Sequence, residues 1–319
     1  MTTSGTYNYS ISVSDIINEA VLNLGKLGEN DSLTSQEYSD CVRKLNLIIK
    51  QFMGKADFSK GIKQWTRRQG YVFLSNNSYL YTLGSPTLNN NDWTNSFVST
   101  SLMYNALANA TAITVNSSSG ISALDNIGIK LSSGNLFWTT VVSVLGNVIT
   151  LSTMLPLSSG VGSIVYDYTT IAQRPIEIEW AVLRDSTNND TPLTLLNYED
   201  YANLPSKTQL TNISDPTSIY VENMLSYSNL YTDVGAANDL TKYIVIGYQE
   251  PIQDLSGNPS ETIEYPQEYY RAIVWLLTRE ICPMFLSNWT QLMAELLKES
   301  LMIATDKDPA NSTYYFQTY

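Results

Sequence analysis

Few residue types in this chain could carry chemistry, and one is missing outright: none of the 319 residues is a histidine. That removes Ser-His-Asp and Cys-His nucleophile systems, and every metal site that needs an imidazole. An enzyme here would have to work with carboxylates, Lys, Tyr or Ser. In the segment RPIEIEWAVLRD, Glu177 and Glu179 share one face, as a catalytic carboxylate pair would, and Asp185 closes it. A glycosidase reading rests on these three. Alternating charges on a half-exposed strand are the commoner meaning of the pattern, so the expectation is a chain that is not an enzyme and carries no cofactor or metal. Cys41 and Cys282 both fall within helical patterns and read as core thiols.

Charge gives the second set of candidates. Lys50, Lys55, Lys60, Lys63, Arg67 and Arg68 crowd one stretch of a chain whose formal net charge is −12. They read as a solvated face or an intersubunit contact with the acidic remainder, or else as a contact with phosphate backbone, which salt would weaken. Trp65 among them either packs or stacks. A third set lies in TDKDPANSTYYFQTY, where Tyr314, Tyr315, Phe316 and Tyr319 sit on a polar tail. Four aromatics there either fold back on their own domain or anchor in a neighbour, and anchoring is favoured.

Bulk composition bounds the rest. The length allows two or three domains with real cores, and a hydrophobic fraction of 43% argues against general disorder. An acidic balance argues against a protein that coats DNA along its surface. No cleavable signal peptide is visible, and no apolar run approaches the length of a membrane-spanning helix.

Helical signals concentrate at the two ends. Ser12 with Asp15 fits a capping box, followed by an apolar face of Ile16, Ile17, Ala20, Val21, Leu24 and Leu27. Thr34 with Glu37 opens a second helix to about Met53, with a seam of Tyr38, Cys41, Leu45, Ile48 and Phe52. Near the other end, Pro266 suits a first helical position before Tyr270, Ile273, Val274, Leu277 and Ile281. Pro283 breaks that ladder, and a second face follows with Trp289, Leu292, Met293, Leu296, Leu297 and Ile303. Between the ends the texture is Ser-, Thr-, Asn- and Val-rich. YVFLSNNSYLYTLG reads as two strands. ATAITV, NIGIKL, FWTTVVSV, NVITL and SIVYDY read as a small antiparallel barrel or sandwich. RPIEIEWAVLRD, with Ile176, Ile178 and Trp180 on its apolar face, then TPLTLL and TKYIVIGYQEPI supply further strands.

The expected fold class is α+β. N- and C-terminal helices form one helical bundle, with antiparallel β-rich segments and an inserted small β-barrel or sandwich domain between them. The expected divisions are 1–68 (N-terminal helices), 69–97 with 171–262 (β-rich region), 98–170 (inserted β domain), 263–304 (C-terminal helices) and 305–319 (tail).

Three segments together resemble one family: DIINEAVLNLGKLGENDSLTSQEYSDCVRKLNLIIKQF, WTRRQGYVFLSNNSYLYTLG, and YIVIGYQEPIQDL with IEYPQEYYRAIVWLLTREICPMF. In order and spacing they look like the podovirus head-to-tail adaptors of the P22 tail accessory factor type, the packaged-DNA-stabilisation family. RPIEIEWAVLRD fits the same pattern, and together these segments cover roughly two thirds of the chain, excluding 98–170. The resemblance implies a structural virion protein at the head-tail junction, assembled in the host cytoplasm. It would form a homo-oligomeric, dodecameric ring beneath the portal protein, close the channel over packaged double-stranded DNA, and dock tail proteins such as a nozzle, tail tube or fibres. On that reading Tyr314, Tyr315, Phe316 and Tyr319 grip the portal, and Lys50 to Arg68 line the lumen or meet a neighbouring subunit. The alternative is a tail-associated carbohydrate- or receptor-binding protein, resting on the Tyr-rich, low-charge β region.

Overall fold

The structure, a computed structural model, describes residues 9–26, 32–53, 64–76, 78–84, 92–205, 214–234 and 241–306. The chain divides into two compact units, one made of 1–66 with 251–319 and the other of 67–250.

The first unit holds four of the five described α-helices: α1 (Val13–Leu22), α2 (Ser35–Met53), α4 (Gln267–Ile281) and α5 (Gln291–Asp306). Both capping boxes form. Ser12 Oγ accepts from the Asp15 N–H at 3.1 Å, and Thr34 Oγ1 accepts from the Glu37 N–H at 3.3 Å, each acid answering the cap residue's own N–H. Helix α4 is the hub and touches α1, α2 and α5. Its Ala272, Ile273 and Leu277 share one core with Ile16, Ile17, Leu45, Ile49 and Leu297. Each buried aliphatic side chain there contributes roughly 1.5–3 kcal/mol. Pro266 stands at the N-cap of α4, and the helix ends at Ile281, two residues before Pro283. Helix α5 turns differently from its expected face: Ser300, Leu301 and Ala304 are buried, while Leu292 and Ile303 are exposed.

Among its described residues the second unit is β-structure apart from one small helix, α3 (Tyr198–Ala202). An eight-stranded sheet contains β1 (Arg67–Phe73), β2 (Leu80–Leu83), β3 (Trp93–Thr94), β10 (Glu177–Arg184), β11 (Asp190–Leu196), β12 (Ser218–Asn223), β13 (Ser228–Thr232) and β14 (Tyr243–Gln249). Its order is β2-β13-β12-β11-β10-β14-β1-β3, and only β11 and β12 run parallel. The entering strand β1 and the leaving strand β14 pair along their whole length, from Arg67↔Gln249 to Phe73↔Tyr243.

The six-stranded sheet is made of β4 (Val98–Ser101), β5 (Ala112–Thr114), β6 (Asn126–Lys130), β7 (Leu136–Leu145), β8 (Val148–Leu151) and β9 (Ile164–Tyr168), in the order β4-β9-β6-β7-β8-β5. Its edges meet: Leu102 bridges Val115, and the Met103 N–H donates to Thr114 O at 2.8 Å. The sheet thus curls into a small barrel filled by Ile113, Val115, Ile127, Ile129, Val141, Ile149 and Val165. Tyr166 and Tyr168, on the opposite face of β9, pack with Phe73 of β1 and join the two sheets.

Fourteen strands against five helices among the described residues make this a mostly β chain. That overturns the expected α+β fold organised round a helical bundle. Periodicity was strongest at the ends, where helices lie, and it outweighed a longer middle. There, Ser/Thr/Asn-rich strands alternate weakly, and much of their pairing joins strands far apart in sequence.

A second correction concerns RPIEIEWAVLRD. The ladder with β14 shifts between Ile178↔Tyr248 and Trp180↔Gly247, so Glu179 is an extra, bulged residue. Beyond the bulge Ala181 and Leu183 take the core positions, and Trp180 stands outward, 37% exposed. Its ring lies over Gly247, where an added Cβ would come within 2.2 Å of it. Trp138 covers Gly128 and Trp93 covers Gly70 in the same way. These three Trp-over-Gly contacts supply the ring area that a bare glycine withholds from a strand.

Candidate interaction surfaces

The basic stretch does not form one bare stripe. Lys50, near the end of α2, donates to Ile252 O at 2.7 Å and pairs with Asp254. Arg67, opening β1, places Nε and Nη2 each 2.9 Å from Glu179 Oε1. Arg68 reaches Glu250 at 3.0 Å. Each of these three cations therefore has a carboxylate beside it, which lowers what it can gain from phosphate contact. Lys55, Lys60 and Lys63 lie outside the described residues, as do Tyr314, Tyr315, Phe316 and Tyr319.

Of the three carboxylates of the glycosidase reading, Asp185 stands at the far end of β10 from Glu177. Glu179, the bulged residue, is held in the ion pair with Arg67. Asp185 serves a turn: its Oδ1 accepts from the Thr187 N–H at 2.8 Å and the Asn189 N–H at 2.9 Å. Those donors, the Asn189 N–H first, hold its carboxyl down at about 2, so it stays ionised. Glu177 and Asp185 flank β10 from opposite ends, roughly 26 Å apart at the usual rise per strand residue. Paired glycosidase carboxylates stand only about 5–9.5 Å apart. Among the described residues there is also no group of three or more Cys, Asp and Glu placed to hold a metal ion. Cys41 and Cys282 are buried free thiols. Burial pushes Cys41 up to about 11, and the Cys282 thiol donates to Ser287 O.

What sequence reasoning did not single out is a set of exposed apolar side chains on the loops of the small barrel. Tyr104 is 61% exposed, Leu107 73% and Val161 65%, and Leu157 is exposed beside them. The bridge Ala106↔Ser159 and a 2.6 Å bond from the Val161 N–H to Asn105 Oδ1 hold the two loops together. These side chains therefore form one neighbourhood. The available signal was the run of Leu, Met and Tyr among turn residues, where a monomer would put polar side chains. The buried carboxylates of this unit were also passed over. Asp92 accepts from the Trp138 indole N–H at 2.7 Å, and burial raises its carboxyl to about 6 against that donor.

No family model matches the chain, and no curated protein does. Two solved structures are among those it is similar to. One is the Gp54 tailspike of Acinetobacter baumannii bacteriophage AP22 in complex with A. baumannii capsular saccharide. It is 17% identical over 25% of this chain, with a TM-score of 0.22, and the match spans only 16% of the tailspike's length. The other is VP17, a capsid protein of bacteriophage P23-77, 9% identical over 63% of this chain and 78% of its own, with a TM-score of 0.12. At such scores neither likeness establishes a shared fold.

Proposed function

We propose that the chain is a structural component of a bacteriophage virion and, within it, a head-to-tail adaptor. The observation that carries this reading is where the structure spends its charged and apolar side chains. The carboxylates that might have done chemistry are used in ion pairs and turns, while Tyr104, Leu107, Leu157 and Val161 are presented together to solvent. That is the economy of a protein that binds other proteins.

The segments behind the family resemblance lend support by their element order: two capped helices, a strand reaching Leu83-Gly84, a strand running to Gln249, and a helix opening after Pro266. On this reading the chain forms a dodecameric ring beneath the portal, closes the channel over packaged DNA, and offers the barrel loops to tail proteins.

The test is to mix the full chain with purified portal rings and weigh the product by native mass spectrometry. A closed ring of this chain on the portal is expected, and a chain that stays monomeric contradicts the reading. Truncation after Thr305 is expected to abolish attachment while the helices keep their far-UV circular dichroism. Undiminished attachment would remove the tail from the contact.

A further inference from the structure

We propose that Asp125 and Asp167 together hold one proton inside the six-stranded barrel and thereby tie the stability of that sheet to pH. Both carboxyls are buried, Asp167 at 1% exposure and Asp125 at 2%. Asp167 lies on β9 opposite Val98 of β4 and Ile127 of β6. It shares the inward face of its strand with Val165, whereas Tyr166 and Tyr168 occupy the other face. Asp125 precedes β6 by one residue and falls on the inward face with Ile127 and Ile129. The two acids are thus diagonal neighbours on adjacent strands.

Their surroundings differ in one respect. Asp125 Oδ2 accepts from the Ser122 N–H at 2.6 Å, a donor suited to a charged carboxylate. Neither oxygen of Asp167 has any donor. As an ion, Asp167 would be a buried charge beside a second negative charge, with no cation against it; Asp125 is the charged group it interacts with. As a neutral acid, it can donate its own proton to Asp125, which satisfies both groups. Lys130 is the only Lys or Arg between 98 and 170, and it stands on the outward face of β6. Among the described residues the pair therefore lacks a counter-charge.

Burial first, and then Asp125, push the Asp167 carboxyl up from 3.8 to about 8. The folded state thus keeps a proton that the unfolded chain releases near pH 4. The stabilisation is fully present below the lower value, declines as pH rises, and is lost once pH passes the upper one. Over that window one proton's difference changes the unfolding equilibrium constant about tenfold per pH unit.

The experiment is chemical denaturation of the full chain from pH 5 to 9, followed by tryptophan fluorescence, for wild type, Asp167→Asn and Asp125→Asn. Asp167→Asn removes the titrating carboxyl and is expected to lose about one tenfold step per pH unit from the wild-type dependence; Asp125→Asn leaves Asp167 buried and is expected to lose less. Infrared spectra at pH 7 are expected to show a protonated buried carboxyl band that Asp167→Asn removes; this readout needs only the wild type to fold. Equal pH slopes in all three proteins, or no protonated carboxyl at pH 7, overturns the proposal. So does a marked stabilisation by Ca²⁺ or Mg²⁺ at pH 8, reversed by chelator, because the pair would then be a cation site.

Discussion

The two sheets of the larger unit treat charge in opposite ways. The eight-stranded sheet and its loops pair their charged groups: Arg67 with Glu179, Arg68 with Glu250, Arg184 with Asp190, and Lys242 with Asp215. The six-stranded barrel has almost no charge to pair, buries two acids against each other, and leaves aliphatic and tyrosine side chains in water at its loops. The first arrangement suits a scaffold whose surface is satisfied within the chain. The second suits an element whose surface is completed by something else. The difference is sharp because both sheets rest on one aromatic cluster round Phe73.

That shared cluster offers the largest way to break the comparison. Phe73 is fully buried and touches Phe97, Trp138, Tyr166 and Tyr168. Phe73→Ala is expected to cost about 3–5 kcal/mol in urea denaturation, and both sheets should lose protection from hydrogen exchange together. A loss confined to one sheet would mean that they are stabilised separately.

The Trp-over-Gly contacts test the sheets one at a time. Trp138 is tethered to Asp92 by its indole N–H, so Gly128→Ala has no easy relief and is expected to cost roughly 1–3 kcal/mol. Trp180 is partly exposed and can swing outward. Gly247→Ala is therefore expected to cost less, even though its added Cβ would come nearer the ring. The reverse order would show that the tether to Asp92 is not what fixes Trp138.

The smallest effect sharpens the reading of the charged sheet. A double-mutant cycle on Arg67 and Glu179 is expected to give a coupling of about 0.2–1 kcal/mol, weakening at high salt, since both side chains keep some exposure to solvent. Coupling that is absent at low salt would mean that the pair positions nothing.

Local features were legible and distant ones were not. Ser12 with Asp15 and Thr34 with Glu37 announced their caps three residues ahead, and Pro283 announced the end of α4. The bulge at Glu179 could not be read locally, because it exists only in the ladder with the neighbouring strand β14, where Gly247 lies under the Trp180 ring. The same distance hid the partners of the basic stretch, since Arg67 finds Glu179 across 112 positions of sequence. It also hid the Asp125–Asp167 pair, brought together only by the ladder of β6 and β9. The fold class was misjudged for a related reason: helices declare themselves within a turn or two, whereas a curled sheet of short strands exists only through its pairing.

The proposal to be tested is that this chain completes its surface against other virion proteins at the junction of head and tail. Electron cryomicroscopy of the assembled particle tests it most directly. The account predicts a closed ring of density at that junction into which the two units of this chain fit, with the loops carrying Leu107 and Val161 covered by a neighbouring protein. A particle in which this chain is absent from the junction, or in which those loops stand free in solvent, would contradict it.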